Sequence, residues 1–161
     1  MIDIIDFGFK GKNKLGFSEI HNFNDFKIVF GGNDNVNRKA VENKNVEILM
    51  CPEKNRNGFF LSFEDSGLNQ VLCKLAEKND VAIGFNFNEV LNSENRKDVL
   101  AKMMQNVRLC RKYKARMILI SGAKNELEMR RSNDLISFGI CLGMTAGETK
   151  QALNFEKKKI K

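Results

Sequence analysis

Between residues 96 and 116 the chain carries Arg96, Lys97, Lys102, Arg108, Arg111, Lys112, Lys114 and Arg116 against a single Asp98. The net charge of that segment equals the formal +7 of all 161 residues, so everything outside it is electrically balanced. Val99, Met103, Val107 and Cys110 recur at spacings of three and four, which marks the buried stripe of a helix. The cations must then take its flanks and outer face. Such a stripe suits a polyphosphate partner; a helix face that merely keeps a protein in solution has the same pattern. Loops supply a second basic group, Lys54, Arg56, Lys124, Arg130 and Arg131, mostly just after strands. Arginine can hold phosphate at two points and stack on bases, and it can equally fix a carboxylate or a helix end.

Other chemistry is thinly represented. His21 is the only histidine, expected on the surface or in a loop. Ser66, Ser121 and the cysteines therefore lack a general-base partner. Cys51, Cys73, Cys110 and Cys141 have no short paired spacing, which argues against zinc and against a disulfide framework; buried free thiols are expected. A multi-histidine metal site cannot assemble. A carboxylate-only magnesium site through Asp6, Glu53 or Asp65 is conceivable, although solvated carboxylates and helix caps are commoner. Gly31-Gly32-Asn33 lacks the Gly-Lys-Ser/Thr ending of a phosphate-binding loop and reads as a tight turn. Gly58-Phe59-Phe60-Leu61-Ser62-Phe63 lacks the small residue of an RNA-recognition strand, so core phenylalanine is the safer reading. No catalytic or metal-ligating residue is assigned.

The elements that position these groups alternate strand and helix. Strands are expected at 2–5, 26–30, 46–50, 81–85 and 117–121, with 59–63 a sixth candidate. Helices are expected at 35–43, at 67–79 capped by Ser66, at 94–113 capped by Ser93, at 135–142, and from a Thr145-x-x-Glu148 capping box to about 154. Strands such as Val81 to Phe85 are apolar without alternation, as in a parallel sheet covered on both faces. With 42% hydrophobic residues the chain can bury a core, and its length suits one domain over 1–154 followed by a basic tail, 155–161. No apolar run approaches the roughly 20 residues that span a bilayer. Met1 to Asp6 lacks the basic start of a secretion signal, and the cytoplasm is the expected location.

Several of these segments resemble, in order and spacing, the protein component 3 family of archaeal ribonuclease P, which is related to a subunit of the eukaryotic enzyme. They are Asn37-Arg38-Lys39-Ala40-Val41-Glu42, Val46 to Glu53, Asp65-Ser66-Gly67-Leu68-Asn69-Gln70-Val71-Leu72 with Leu75-Ala76, Asn79 to Ala82, Arg111-Lys112-Tyr113, Ser121-Gly122-Ala123, Arg130-Arg131-Ser132 and Leu142-Gly143-Met144. Leu15 to Ile20 resembles the family's first short helix and following turn. Gln70 and Cys51 stand where the family usually has His, and Asn133 where it has Pro. The resemblance implies an abbreviated or irregular TIM-barrel-like α/β fold, like the metal-dependent phosphoesterase barrels but without their metal site. An open doubly wound parallel sheet is the structural alternative. It further implies a non-catalytic subunit that docks with protein component 2 on the ribonuclease P RNA, in a holoenzyme that matures the 5′ end of precursor tRNA. The magnesium-dependent hydrolysis then belongs to the RNA, and this chain binds no cofactor. Arg96, Lys97, Lys102, Arg108, Arg111 and Lys112, with the loop group, are the expected RNA contacts. A stand-alone barrel phosphoesterase for small phosphorylated substrates is the rival.

Overall fold

The computed structural model describes residues 1–11, 14–56, 59–60 and 63–155, apart from the side chains of 59, 60, 63 and 64. The strands are β1 (Ile2–Ile5), β2 (Glu19–Asn22), β3 (Ile28–Phe30), β4 (Ile48–Met50), β5 (Phe59–Phe60), β6 (Phe63–Glu64), β7 (Ala82–Asn86) and β8 (Met117–Ile120). The helices are α1 (Asp34–Glu42), α2 (Gln70–Lys78), α3 (Phe87–Leu91), α4 (Arg96–Tyr113), α5 (Ser132–Cys141) and α6 (Ala146–Ala152). β3-β4-β7-β8 form one parallel sheet and β1-β2 a parallel pair. Gly122 N donates to Ile4 O and Asp6 N to Ala123 O, which sets β1 beside β8 with the chains running the same way. The strands thus succeed one another in sequence order around the array, as in a barrel.

The packing decides between the two architectures. Ile4, Ile48, Met50, Ala82, Ile118 and Ile120 point to one side of the array and form a cluster closed by Phe26 and Phe155. Alternate residues, Leu49, Ile83, Phe85 and Leu119, belong to a second cluster with side chains from all six helices. A doubly wound sheet would carry helices on both faces; here they share one face and the strands' own side chains fill the other. The fold is an irregular, barrel-like α/β array, with no ladder between β2 and β3 among the described residues.

Several local expectations need correction. Glu19–Asn22 is a strand, preceded by a turn at Leu15 and Gly16, and His21 lies on it against Glu19 and the Phe26 ring. Ser66 does not cap α2. Gly67 has φ +76, outside the helical region, and a Cβ there would lie 1.9 Å from Pro52 O; Asn69 is the cap, accepting from Val71 N and Leu72 N. Ser93 accepts from Asn95 N, and α4 starts only at Arg96. Phe59–Phe60 and Phe63–Glu64 pair antiparallel, as β5 and β6, and do not form a sixth parallel strand; Gly58, Leu61, Ser62 and the phenylalanine side chains lie outside the described residues. Cys141 is exposed, while the other three thiols are buried. Phe155, the first residue assigned to the basic tail, packs into the core. Phe155 is buried against Phe26 with Arg116 over its ring, and 156–161 lie outside the described residues. The Thr145–Glu148 capping box is present. No described helix is long and apolar enough to cross a membrane.

The β1–β8 seam is held by a side chain. Asp3 is fully buried, accepting from Ser121 N (2.7 Å), Ser121 Oγ (2.6 Å) and Ile4 N (2.9 Å). Burial outweighs these bonds and lifts its carboxyl from 3.8 to about 6. A carboxyl raised on folding adds stability that is complete below pH 3.8 and lost as pH rises through about 6. The unfolding free energy of the native chain minus that of Asp3→Asn, followed by urea denaturation, should therefore fall by roughly 2 kcal/mol between pH 4 and 7; a flat difference contradicts this account. Phe155→Ala should cost about 3 kcal/mol in the same assay, and no loss would mean the ring is not part of the core.

Candidate nucleic-acid interface

Helix α4 buries Met103, Asn106, Val107 and Cys110 and turns Lys97, Arg108, Arg111 and Lys112 outward. At 3.6 residues per turn Lys97, Arg108 and Lys112 fall on one face. None of these three has an ion-pair partner among the described residues; Lys112 rests beside the Tyr113 ring, 5.4 Å from its centre. Lys114 ends the helix in the left-handed region at φ +58. Arg96, off that face, donates to Leu91 O at 3.0 Å. Arg111 is different. It meets Glu148 at 2.8 and 2.6 Å and Gly143 O at 2.6 Å, tying α4 to the start of α6. Arg111 is the first cause that holds the Glu148 carboxyl down at about 2. Its guanidinium is structural in this arrangement, so the free cations of the face are Lys97, Arg108 and Lys112.

Lys102, on the flank of α4, turns to the edge where the strands end. It donates to Arg56 O and lines an open cavity of about 740 Å³ with Lys54, Arg56 and Lys124. Lys54 pairs with Glu89 at 2.8 Å. Arg56, with only 8% of its side chain exposed, bridges Asp34 and Asp65 at 2.5 Å each. It clamps the start of α1 to the segment before α2 rather than facing solvent. Lys124 is exposed and has no ion-pair partner among the described residues. Arg130 lies 5.1 Å from the Phe87 ring and donates to Leu127 O and Met129 O. Arg131 is exposed beside the start of α5, its N–H held by Asp134.

Apart from the internally paired Arg56 and Arg111, the expected RNA contacts thus separate into α4 cations, a cavity rim of Lys54, Lys102 and Lys124, and a pair at 130–131. Of the three acids considered as metal ligands, Asp6 is exposed, Asp65 holds Arg56, and Glu53 is buried in the cavity floor. No group of three or more potential metal ligands occurs among the described residues. Sequence reasoning missed the buried amides that build this edge. Asn37 Nδ2 donates to Pro52 O and Gly67 O while its Oδ1 accepts from Gly32 N, all at 3.0 Å. Asn106 Nδ2 donates to Ser66 O at 2.9 Å and to Glu53 Oε2 at 3.2 Å. The available signal was a polar residue standing inside the apolar stripe of α4. At Gly122, φ +58 and an Asn86 side chain that a Cβ would strike at 2.0 Å account for glycine.

Residues 12–160 match the family model described as RNase P subunit p30. A ribonuclease P protein component 3 from Methanosarcina mazei is 36% identical over 138 residues, covering 84% of this chain and 54% of the relative. That of Thermococcus kodakarensis is 34% identical, covering 79% and 55%. Among solved structures, a chain of archaeal ribonuclease P with mature tRNA, determined by cryo-EM, superposes with a TM-score of 0.68 at 31% identity, over 78% of this chain and 52% of that one. The chain spans about half the length of these relatives. Fold, motif order and identity agree: this chain belongs to the RNase P subunit p30 family.

Proposed function

We propose that this protein is a subunit of ribonuclease P and supports the 5′ maturation of precursor tRNA by holding RNA rather than by cleaving it. Membership of the family supports the reading, as does the likeness to a chain of an archaeal ribonuclease P solved with tRNA. The observation that carries it is the α4 face, where Lys97, Arg108 and Lys112 share one side of the helix without carboxylate partners among the described residues. Phosphate contacts of this kind position an RNA and screen its self-repulsion without reading sequence. The proposed partners are the ribonuclease P RNA, through the basic face, and protein component 2, through apolar surface, because interface cores are depleted in charge. Precursor tRNA is engaged through the holoenzyme, in the cytoplasm. Magnesium in this scheme is held by the RNA. The rival reading, a stand-alone phosphoesterase, draws no specific support from the side chains at the strand ends.

Replacing Lys97, Arg108 and Lys112 together with Glu should weaken RNA binding and flatten its salt dependence. Loss of three phosphate contacts should lower the slope of log affinity against log salt by roughly 2 to 3. These side chains make no ion pairs among the described residues, so circular dichroism should stay native. Unchanged affinity and slope in a native-like variant would remove the basis of the proposal. Arg111→Ala serves as the structural counterpart. It should lower stability by about 1 kcal/mol, the worth of a partly exposed ion pair with added hydrogen bonds, while changing the salt slope less than the triple substitution.

A further inference from the structure

The cavity at the strand ends has a feature that RNA binding along α4 does not use. Glu53 is 4% exposed, lies in the cavity wall beside the buried Cys51, and presents an Oε1 with no hydrogen-bond partner. Its other oxygen is held by Asn106. Burial is the largest influence on this carboxyl and raises it to about 7. A buried carboxyl oxygen left unpaired is costly, and a ligand that donates to it would remove that cost. The remaining walls are polar: Asn88 and Asn92, the Lys54–Glu89 pair, Asn95 donating to Asp98, and Glu94. Cations stand at the rim. Lys124 has no ion-pair partner among the described residues, and Lys102, bound only to Arg56 O, keeps donors free. The volume, about 740 Å³, lies within the range of pockets that enclose a small organic ligand.

An acceptor deep in the wall and lysines at the mouth fit a molecule with N–H donors at one end and an anionic group at the other. We infer that this cavity receives a single nucleotide whose base bears an exocyclic amine, with the base edge donating to Glu53 and the phosphate between Lys102 and Lys124. Guanine suits the one free oxygen, Oε1, best, since its ring N–H and amine lie side by side and can converge on a single acceptor. Uracil has one ring N–H and no amine. Among the described residues the cavity wall offers Val99 and no aromatic ring, so what they provide holds the base by its edge. This inference rests on the RNA-binding reading: the natural donor of such a nucleotide is an unpaired residue of the bound RNA, turned into the pocket while α4 holds the backbone.

The test is calorimetric titration of the full chain with GMP and with UMP. GMP should bind saturably and at least tenfold more tightly than UMP. Glu53→Gln, which sets an amide donor where the acceptor was, should abolish that preference. Lys124→Ala, at an exposed position that no packing depends on, should weaken both nucleotides severalfold and keeps the test decisive if Glu53→Gln fails to fold. Equal binding of GMP and UMP, or GMP binding indifferent to both substitutions, overturns the inference. No GMP binding by a chain that still binds RNA overturns it too and leaves the RNA-binding proposal standing. If GMP does not bind and Glu53→Gln instead weakens capture of the partner protein, the pocket takes a protein side chain and the nucleotide is excluded. Failure to bind RNA at all defeats the proposed function itself.

Discussion

The side chain of Asn37 fixes the functional edge of this fold. It sits on α1, fully buried, and uses its amide to hold the loop after β3, the loop after β4 and the approach to α2 at once. Each bond is made to backbone, so no change of neighbouring side chain can replace it. A truncated residue here would leave two carbonyls and one N–H unpaired in the interior, at a cost of about 1–3 kcal/mol each. The placement of Glu53, Lys54 and Arg56 follows from it, since all three leave the β4 loop that Asn37 anchors. Asn79 acts the same way at the other end of the strands, donating to Val41 O at 2.7 Å to join α2 to α1. Asn37, Gly67, Asn69 and Asn79 are thus explained as parts of one frame, three by buried or capping amides and one by a backbone that tolerates no Cβ.

Charge is distributed over that frame in two ways. Arg56 and Arg111 work inside the protein, one joining α1 to the segment before α2 and the other joining α4 to α6. Lys97, Arg108 and Lys112 are left to solvent along α4. The protein therefore gathers most of its net charge on one helix whose opposite face is packed into the core. Packing of the helix fixes the spacing of these cations along its axis before phosphates arrive. The interior of the strand array contributes nothing polar to this; Ile4, Ile48, Met50, Ile118 and Ile120 fill it, and Phe155 caps it. Chemistry is confined to the strand-end loops and the outer face of α4.

The sequence disclosed the alternation of strand and helix, the stripe that buries α4, and the Thr145–Glu148 cap, because each is a local pattern with a short-range cause. It also disclosed the family, through motif residues whose reasons only the structure supplies. It did not disclose β2, four residues with mixed burial and no apolar run. Nor did it show that Gly67 delays α2 until Asn69, which depends on Pro52 being packed against it. Counting cations could not separate Arg111 from Arg108, three positions apart. Glu148 and Gly143 O, far along the chain, make that distinction. Asp3 and Glu53 look like ordinary acids in the sequence, and only burial gives them their character.

Ultraviolet cross-linking of the chain to the RNA that co-purifies with it from its native cell, with the cross-linked peptides located by mass spectrometry, tests the central claim most directly. Cross-links should fall on the outer face of α4, around Lys97, Arg108 and Lys112, and on the strand-end loops that carry Lys54 and Lys124. Cross-links confined to the opposite end of the strands, around Phe26, Asp80 and Arg116, would contradict the account, as would a native complex that contains no RNA.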